Sequence, residues 1–363
     1  MSRPFPKFGY NPVTGEWNDS LTGEFMWSNV NVSEAVPDVM TPSTWSLWWI
    51  HHYEANLFEF PGDYRFCGNI CGRPYLNLSL LFSVYQAVGK DARSELQADY
   101  VGSAPQEFDI PIIRFSAFQV LRTMLPGLLR ARAQASRDQK FTPKFLAAIP
   151  NWCRVTRKTI QQCQDTHDLL SLWQADIKPT VVRACRMLRS VMMIMADPAT
   201  KLRQDLAALV GEGDANTILS NLAGAGAGLE SLGPLLGLAK VRDGRLSSAD
   251  YMERYGHRGP HEMELFAPGA EDDPAWLEKR LAEFDRSKVD VGDLLEKQRA
   301  EALAAWQRFE TRFPRSARAA RQALDRVSAG ARSREAVRSE VTRITRLIRT
   351  FLLQAGSLTG LGD

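Results

Sequence analysis

Apolar positions in this chain recur mostly every three to four residues, the period of helices that bury one face. From Thr41-Pro42-Ser43-Thr44 onward, Trp45, Trp48, Trp49 and His52 share that spacing until Pro61-Gly62 stops it, which predicts a tryptophan-rich core helix. Further helices are predicted at Ile112 to Ala135, interrupted at Pro126-Gly127, at Trp152 to Met195, broken near Pro179, and at Leu202 to Val210. Long helical patterns then run from Val289 to Phe313 and from Ser316 to Leu358. In the last, Val337, Val341, Ile344, Ile348 and Phe351 line one face, Arg343 and Arg346 point the other way, and Arg334, Arg338 and Arg349 lie along the edges. A solvated basic face follows, with Arg334 and Arg349 as candidate anion contacts.

Only Arg65 to Leu78 breaks the helical period, mixing glycines with β-prone residues, so a strand or hairpin is expected near residues 65–78. The predicted fold is mainly α, a multi-helix bundle with one small β element. Residues 1–40, rich in Pro, Gly, Asn, Asp and Ser yet carrying aromatics, read as a loop or linker packed on the body, and 41–363 as one helical domain.

Composition narrows the function. A formal charge of +3 over 363 residues is too small to imply a nucleic-acid partner. No apolar run approaches the roughly 18 residues that span a bilayer, and Met1 to Pro6 lacks the apolar core of a secretion signal. Five cysteines, an odd number without framework spacing, fit reduced thiols, so a cytoplasmic protein with no membrane partner is expected. The Gly224-Ala225-Gly226-Ala227-Gly228 cluster follows a helical pattern rather than a strand and is not read as a dinucleotide loop. Cys67, Cys71, Cys163 and His167 are weighed as zinc ligands, but their spacing is loose and buried thiols are favoured, so no metal is assigned.

The stretch Tyr255-Gly256-His257-Arg258-Gly259-Pro260-His261-Glu262-Met263-Glu264-Leu265 gathers two histidines, an arginine and two carboxylates where glycine and proline favour tight turns. Of the five histidines, His257 and His261 alone lie in a glycine-bearing loop, which makes them the acid/base candidates; the bland reading is a polar turn between helices.

Three stretches together resemble phosphoenolpyruvate-synthase-like enzymes, rifampicin phosphotransferase among them. Thr14-Gly15-Glu16-Trp17-Asn18-Asp19-Ser20 with Asn31 to Ser46 resembles the start of their substrate domain. Gly72-Arg73-Pro74-Tyr75-Leu76-Asn77-Leu78 resembles its next signature, and Tyr255-Gly256-His257-Arg258-Gly259 with Glu262 and Glu264 its central one. The order and spacing of the matches cover nearly the whole chain. The resemblance implies the mostly helical substrate-binding domain that presents a hydroxyl of a small organic substrate. ATP and Mg would act in an ATP-grasp domain, and a swivelling domain would carry phosphate on a histidine; the chain is expected to be a subunit that meets these as separate proteins or a fragment of an enzyme that contains them, and alone it is not expected to phosphorylate anything.

Within that role Arg258 offers a planar fork to the phosphoryl group, and Glu262 or His257 orients or deprotonates the hydroxyl. Thr41, Thr44, Trp45, Trp48 and Glu264 are the expected substrate contacts, with Arg334 and Arg349. After Glu264 the family continues with Pro-Arg-Trp and an acidic pair, whereas Pro268-Gly269-Ala270-Glu271-Asp272-Asp273 lacks the arginine and tryptophan. One basic contact to phosphate is therefore expected to be lost. A dehydratase component that uses phosphorylation to assist loss of water, and a non-catalytic helical ligand-binding protein, are the alternatives.

Overall fold

The computed structural model describes residues 25–30, 32–33, 36–62, 64–93, 109–219, 232–287 and 291–361. Within them the protein is mainly helical with a small three-stranded sheet, as the hydrophobic period predicts. The Thr14–Ser20 stretch and the Gly224–Gly228 cluster lie outside the described residues. Contacts divide the chain into two compact units, Met1–Ala133 with His261–Ala267, and Gln134–Pro260 with Pro268–Asp363, a division that does not fall at residue 40.

In the first unit, helix α1 (Pro42–Trp49) begins where cap chemistry demands. The Thr41 hydroxyl accepts the Thr44 N–H at 3.3 Å, and Pro42 occupies the first turn, where a missing N–H costs nothing. A π-helical turn over Ile50–Glu54 continues it. Strands β1 (Trp27–Ser28), β2 (Cys67–Ile70) and β3 (Arg73–Asn77) pair antiparallel in the order β1-β3-β2, with Ser28 and Cys67 both opposite Leu76.

The hairpin lies where the sequence predicts it. Its two-residue turn, Cys71-Gly72, has both residues at positive φ, 50° and 78°, which matches the twist of the flanking strands. Gly72 is needed twice over, because a Cβ there would lie 2.5 Å from Val39 Cγ1. Strand β1 was not legible, since two residues carry no period. Asn77 ends β3 and caps helix α2 (Leu78–Ala87) by accepting the Leu80 N–H at 2.9 Å. Val36, Met40, Trp45, Cys67 and Leu76 pack together between these elements.

Helix α3 (Ala117–Gln162) continues through Pro126-Gly127, where an interruption is predicted. Gly127 serves packing instead: a Cβ there would sit 2.5 Å from Phe58 Cβ. The predicted break near Pro179 falls earlier. Asp165 accepts the Asp168 N–H at 2.8 Å and starts α4 (Thr166–Leu172), and a π-helical turn over Trp173–Ile177 leads into α5 (Lys178–Ile218), with Pro179 in its first turn and a kink at Gly211, where φ is 80°.

The second unit continues with α6 (Gly233–Arg242), α7 (Ser248–Tyr255), α8 (Trp276–Ser287), α9 (Val291–Arg312) and α10 (Pro314–Thr359). Gly360 closes α10 in the left-handed conformation, φ 66°. Leu206 and Ile218 of α5 pack with Trp306 and Phe309 of α9 and Leu324 of α10, while Leu238, Tyr251, Trp276 and Phe284 join α6, α7 and α8. Among the described residues, no helix is long and apolar enough to cross a membrane.

Candidate functional site

Ser247 caps α7 by accepting the Asp250 N–H at 3.0 Å, and the helix ends at Gly256. The chain then runs as irregular turns to α8, as the glycines and proline predict. The Arg258 N–H still reaches the Tyr255 carbonyl at 2.8 Å, and both Arg258 and Glu262 are half-buried. His261 takes a positive φ of 57° and contacts Asp38.

His257 is 7% exposed, with Nε2 hydrogen-bonded to Ser339 Oγ of α10 at 2.8 Å. Burial pushes its imidazole from the ordinary 6.5 down to about 2; the positive charges of Arg343 and Arg258 push the same way, and a hydrogen bond with the Ser339 backbone only partly opposes them. The ring is therefore neutral at physiological pH. That corrects the expectation of an acid or base titrating near neutrality, because the environment penalises the protonated form. Its Nδ1 is buried without a hydrogen-bond partner among the described residues, as is Nε of Arg157.

The neighbours of His257 are largely ones the sequence did not single out. Arg343 donates to Glu340 at 2.9 Å and to the Glu253 carbonyl at 3.1 Å, and burial raises the Glu340 carboxyl against that pairing. Cys153 lies within electrostatic reach of Arg343, Glu340 and Arg157. Burial lifts its thiol to about 12, so it is no nucleophile at neutral pH. The spacing of Glu340 and Arg343, three apart on one helix, was the available signal.

Thr41, Thr44 and Glu264 do come together, within the first unit. The Glu264 carboxylate accepts from Thr41 Oγ1 at 2.8 Å, Thr44 Oγ1 at 2.7 Å, and the backbone N–H groups of Thr41 and Phe266 at 3.2 and 3.0 Å. Thr44 Oγ1 in turn accepts the Leu265 N–H at 2.9 Å. A negative charge thus sits at the N-terminus of α1, where the helix dipole favours it.

This is a capping cluster whose members satisfy one another. Thr44 is 0% exposed and Trp45 lies in the core, so their expected contact with substrate is corrected to capping and packing. Trp48 is half-buried and stacks on His52 with ring centroids 5.3 Å apart, its indole N–H buried without an acceptor among the described residues.

The basic face of α10 is not solvated as predicted. Arg346 is 4% exposed and pairs with Glu271 at 2.6 Å and Asp272 at 3.2 Å; Arg349 pairs with Asp272 at 3.0 Å. Burial alone would raise the Asp272 carboxyl. Hydrogen bonds from Arg349 and the Gly269 N–H outweigh it and hold the group below its ordinary value. Arg334 bonds Glu335, its neighbour in sequence, at 2.9 Å. The two arginines expected to contact a ligand anion are therefore matched to carboxylates inside the protein.

The atoms weighed for zinc form no common group. Cys67 is in the core, Cys71 is exposed in the hairpin turn, and Cys163 Sγ donates to the Thr159 carbonyl at 3.3 Å. Among the described residues, the cluster of potential metal ligands is the exposed trio Asp165, His167 and Asp168. Compared with protein-family models and with curated proteins, the chain has no match.

Proposed function

We propose that this chain is the substrate-binding component of a phosphoenolpyruvate-synthase-like phosphotransferase, presenting a hydroxyl of a small organic molecule to a phosphohistidine carrier. The proposal joins the ordered motif resemblance to one observation, the buried neutral imidazole of His257 with an unpartnered Nδ1 beside the positive charges of Arg258 and Arg343. Phosphoryl transfer asks mainly for positioning and for donors aimed at oxygens that carry spread-out charge. In this reading the ring takes the tautomer in which Nε2 accepts from the Ser339 hydroxyl, so that the N–H on Nδ1 can hydrogen-bond an anionic oxygen without the cost of charging the ring.

Arg258 adds a planar pair of donors. In the transfer the carrier's N–P bond breaks, the O–P bond to the substrate forms, and the hydroxyl proton ends on the carrier's released imidazole. ATP and Mg belong to the ATP-grasp partner that charges the carrier. A mainly helical chain with a hairpin at residues 67–77 fits an acceptor domain of the rifampicin phosphotransferase type.

A second reading, a helical binding protein without chemistry, draws support from the internal partners of Glu264, Arg334 and Arg349. Mixing the chain with ATP, the ATP-grasp protein, the carrier and a set of hydroxyl compounds separates the readings. The expected result is ATP consumption that requires this chain and a product heavier by one phosphate. A product lighter by water points to the dehydratase alternative, and consumption that is the same with and without the chain favours the binding protein.

A further inference from the structure

We infer that the groove between α5 and α10 in the second unit binds an amphipathic organic anion: a bulky apolar body with one acidic group. The groove encloses about 1190 Å³, room for a drug-sized molecule. Val191, Ile194, Met195 and Leu206 of α5 and Phe309 of α9 give it an apolar floor, surface that a ligand body would remove from water.

Two polar features select the rest of the ligand. Pro198, in the interior of α5, has no N–H to offer the Ile194 carbonyl four residues back, and both residues line the groove. That leaves an acceptor for a ligand hydroxyl. Of the charged lining groups, Lys201 is paired with Asp205 at 3.0 Å and Asp197 adds a second carboxylate, whereas neither Arg315 nor Arg326 has an acidic partner among the described residues. Arg326 donates from Nε to the Gln322 carbonyl at 3.3 Å and keeps its terminal nitrogens, so it and Arg315 each offer donors to a carboxylate or similar anion beside the apolar lining. The site needs neither the phosphohistidine carrier nor Arg258, so it stands apart from the phosphotransfer reading.

Deoxycholate, an apolar tetracyclic carboxylate that bears hydroxyls, is the probe, with its uncharged methyl ester as control. Both are titrated calorimetrically into the full chain below the micelle threshold. The acid is expected to bind about tenfold more tightly than the ester. Arg315→Gln combined with Arg326→Gln, both on exposed side chains, is expected to erase that difference and leave ester binding in place. Ala323→Trp, whose bulk fills the groove, is expected to abolish both, with far-UV circular dichroism confirming the fold. Three results would overturn the inference: no binding of deoxycholate, equal binding of acid and ester to the unaltered protein, or a preference for the acid that survives the double arginine replacement.

Discussion

Arg258→Ala is expected to lower phosphoryl transfer in the reconstituted system by about 10²- to 10³-fold, the usual cost of removing one well-placed donor to developing charge. The expected change in folding stability is under about 1 kcal/mol, because Arg258 is only half-buried and lies in an irregular turn rather than a core. The loss should fall on kcat more than on KM, since the guanidinium is assigned to the transferring group and not to the substrate body. Arg258→Lys should recover little, because an ammonium cannot reproduce two parallel hydrogen bonds. Turnover unaffected by either replacement would favour the binding protein without chemistry.

Lowering the pH from 7 to 4.5 is expected to remove about 2 to 3 kcal/mol of stability through His257 alone, read from urea unfolding. The ring titrates near 6.5 when unfolded and near 2 when folded, so between those values the unfolded chain binds a proton that the folded one refuses. Stability is therefore full above pH 6.5 and falls as the pH drops through the window toward 2. His257→Gln keeps an amide to bond Ser339 and does not titrate. Its stability should be less sensitive to acid by that same 2 to 3 kcal/mol. Equal acid sensitivity of the two proteins would mean that the ring is not held neutral by burial.

What the sequence made legible is what local chemistry decides. Thr41-Pro42-Ser43-Thr44 announces a helix start because a hydroxyl cap and a first-turn proline act within four residues. The carboxylate that completes the cluster, Glu264, lies 220 residues beyond Thr44, and no local pattern joins them. Val337, Val341, Ile344 and Ile348 correctly mark the packed face of α10. Periodicity says which face is apolar and not what covers the other, so Arg346 was assigned to solvent while Glu271 and Asp272, 75 and 74 residues earlier, enclose it.

The same limit applies to His257. Its place in a glycine-bearing turn suggested a ring that titrates near neutrality, and burial beside Ser339, 82 residues away, accompanies the opposite. Pro126 was read as an interruption, yet α3 runs through it, as α5 runs through Pro198, since packing over long helices outweighs one lost backbone bond. The groove between α5 and α10 had no sequence signature, because it is a property of two helices packed side by side.

Phosphoryl transfer to an organic hydroxyl is open to direct observation in a single step. A carrier domain already phosphorylated on its histidine is mixed with this chain and a set of hydroxyl compounds, with ATP left out, and followed by phosphorus NMR. The expected result is decay of the phosphohistidine signal matched by growth of a phosphate-ester signal, seen only when the chain is present. Decay to inorganic phosphate at the same rate with and without the chain would contradict the assignment.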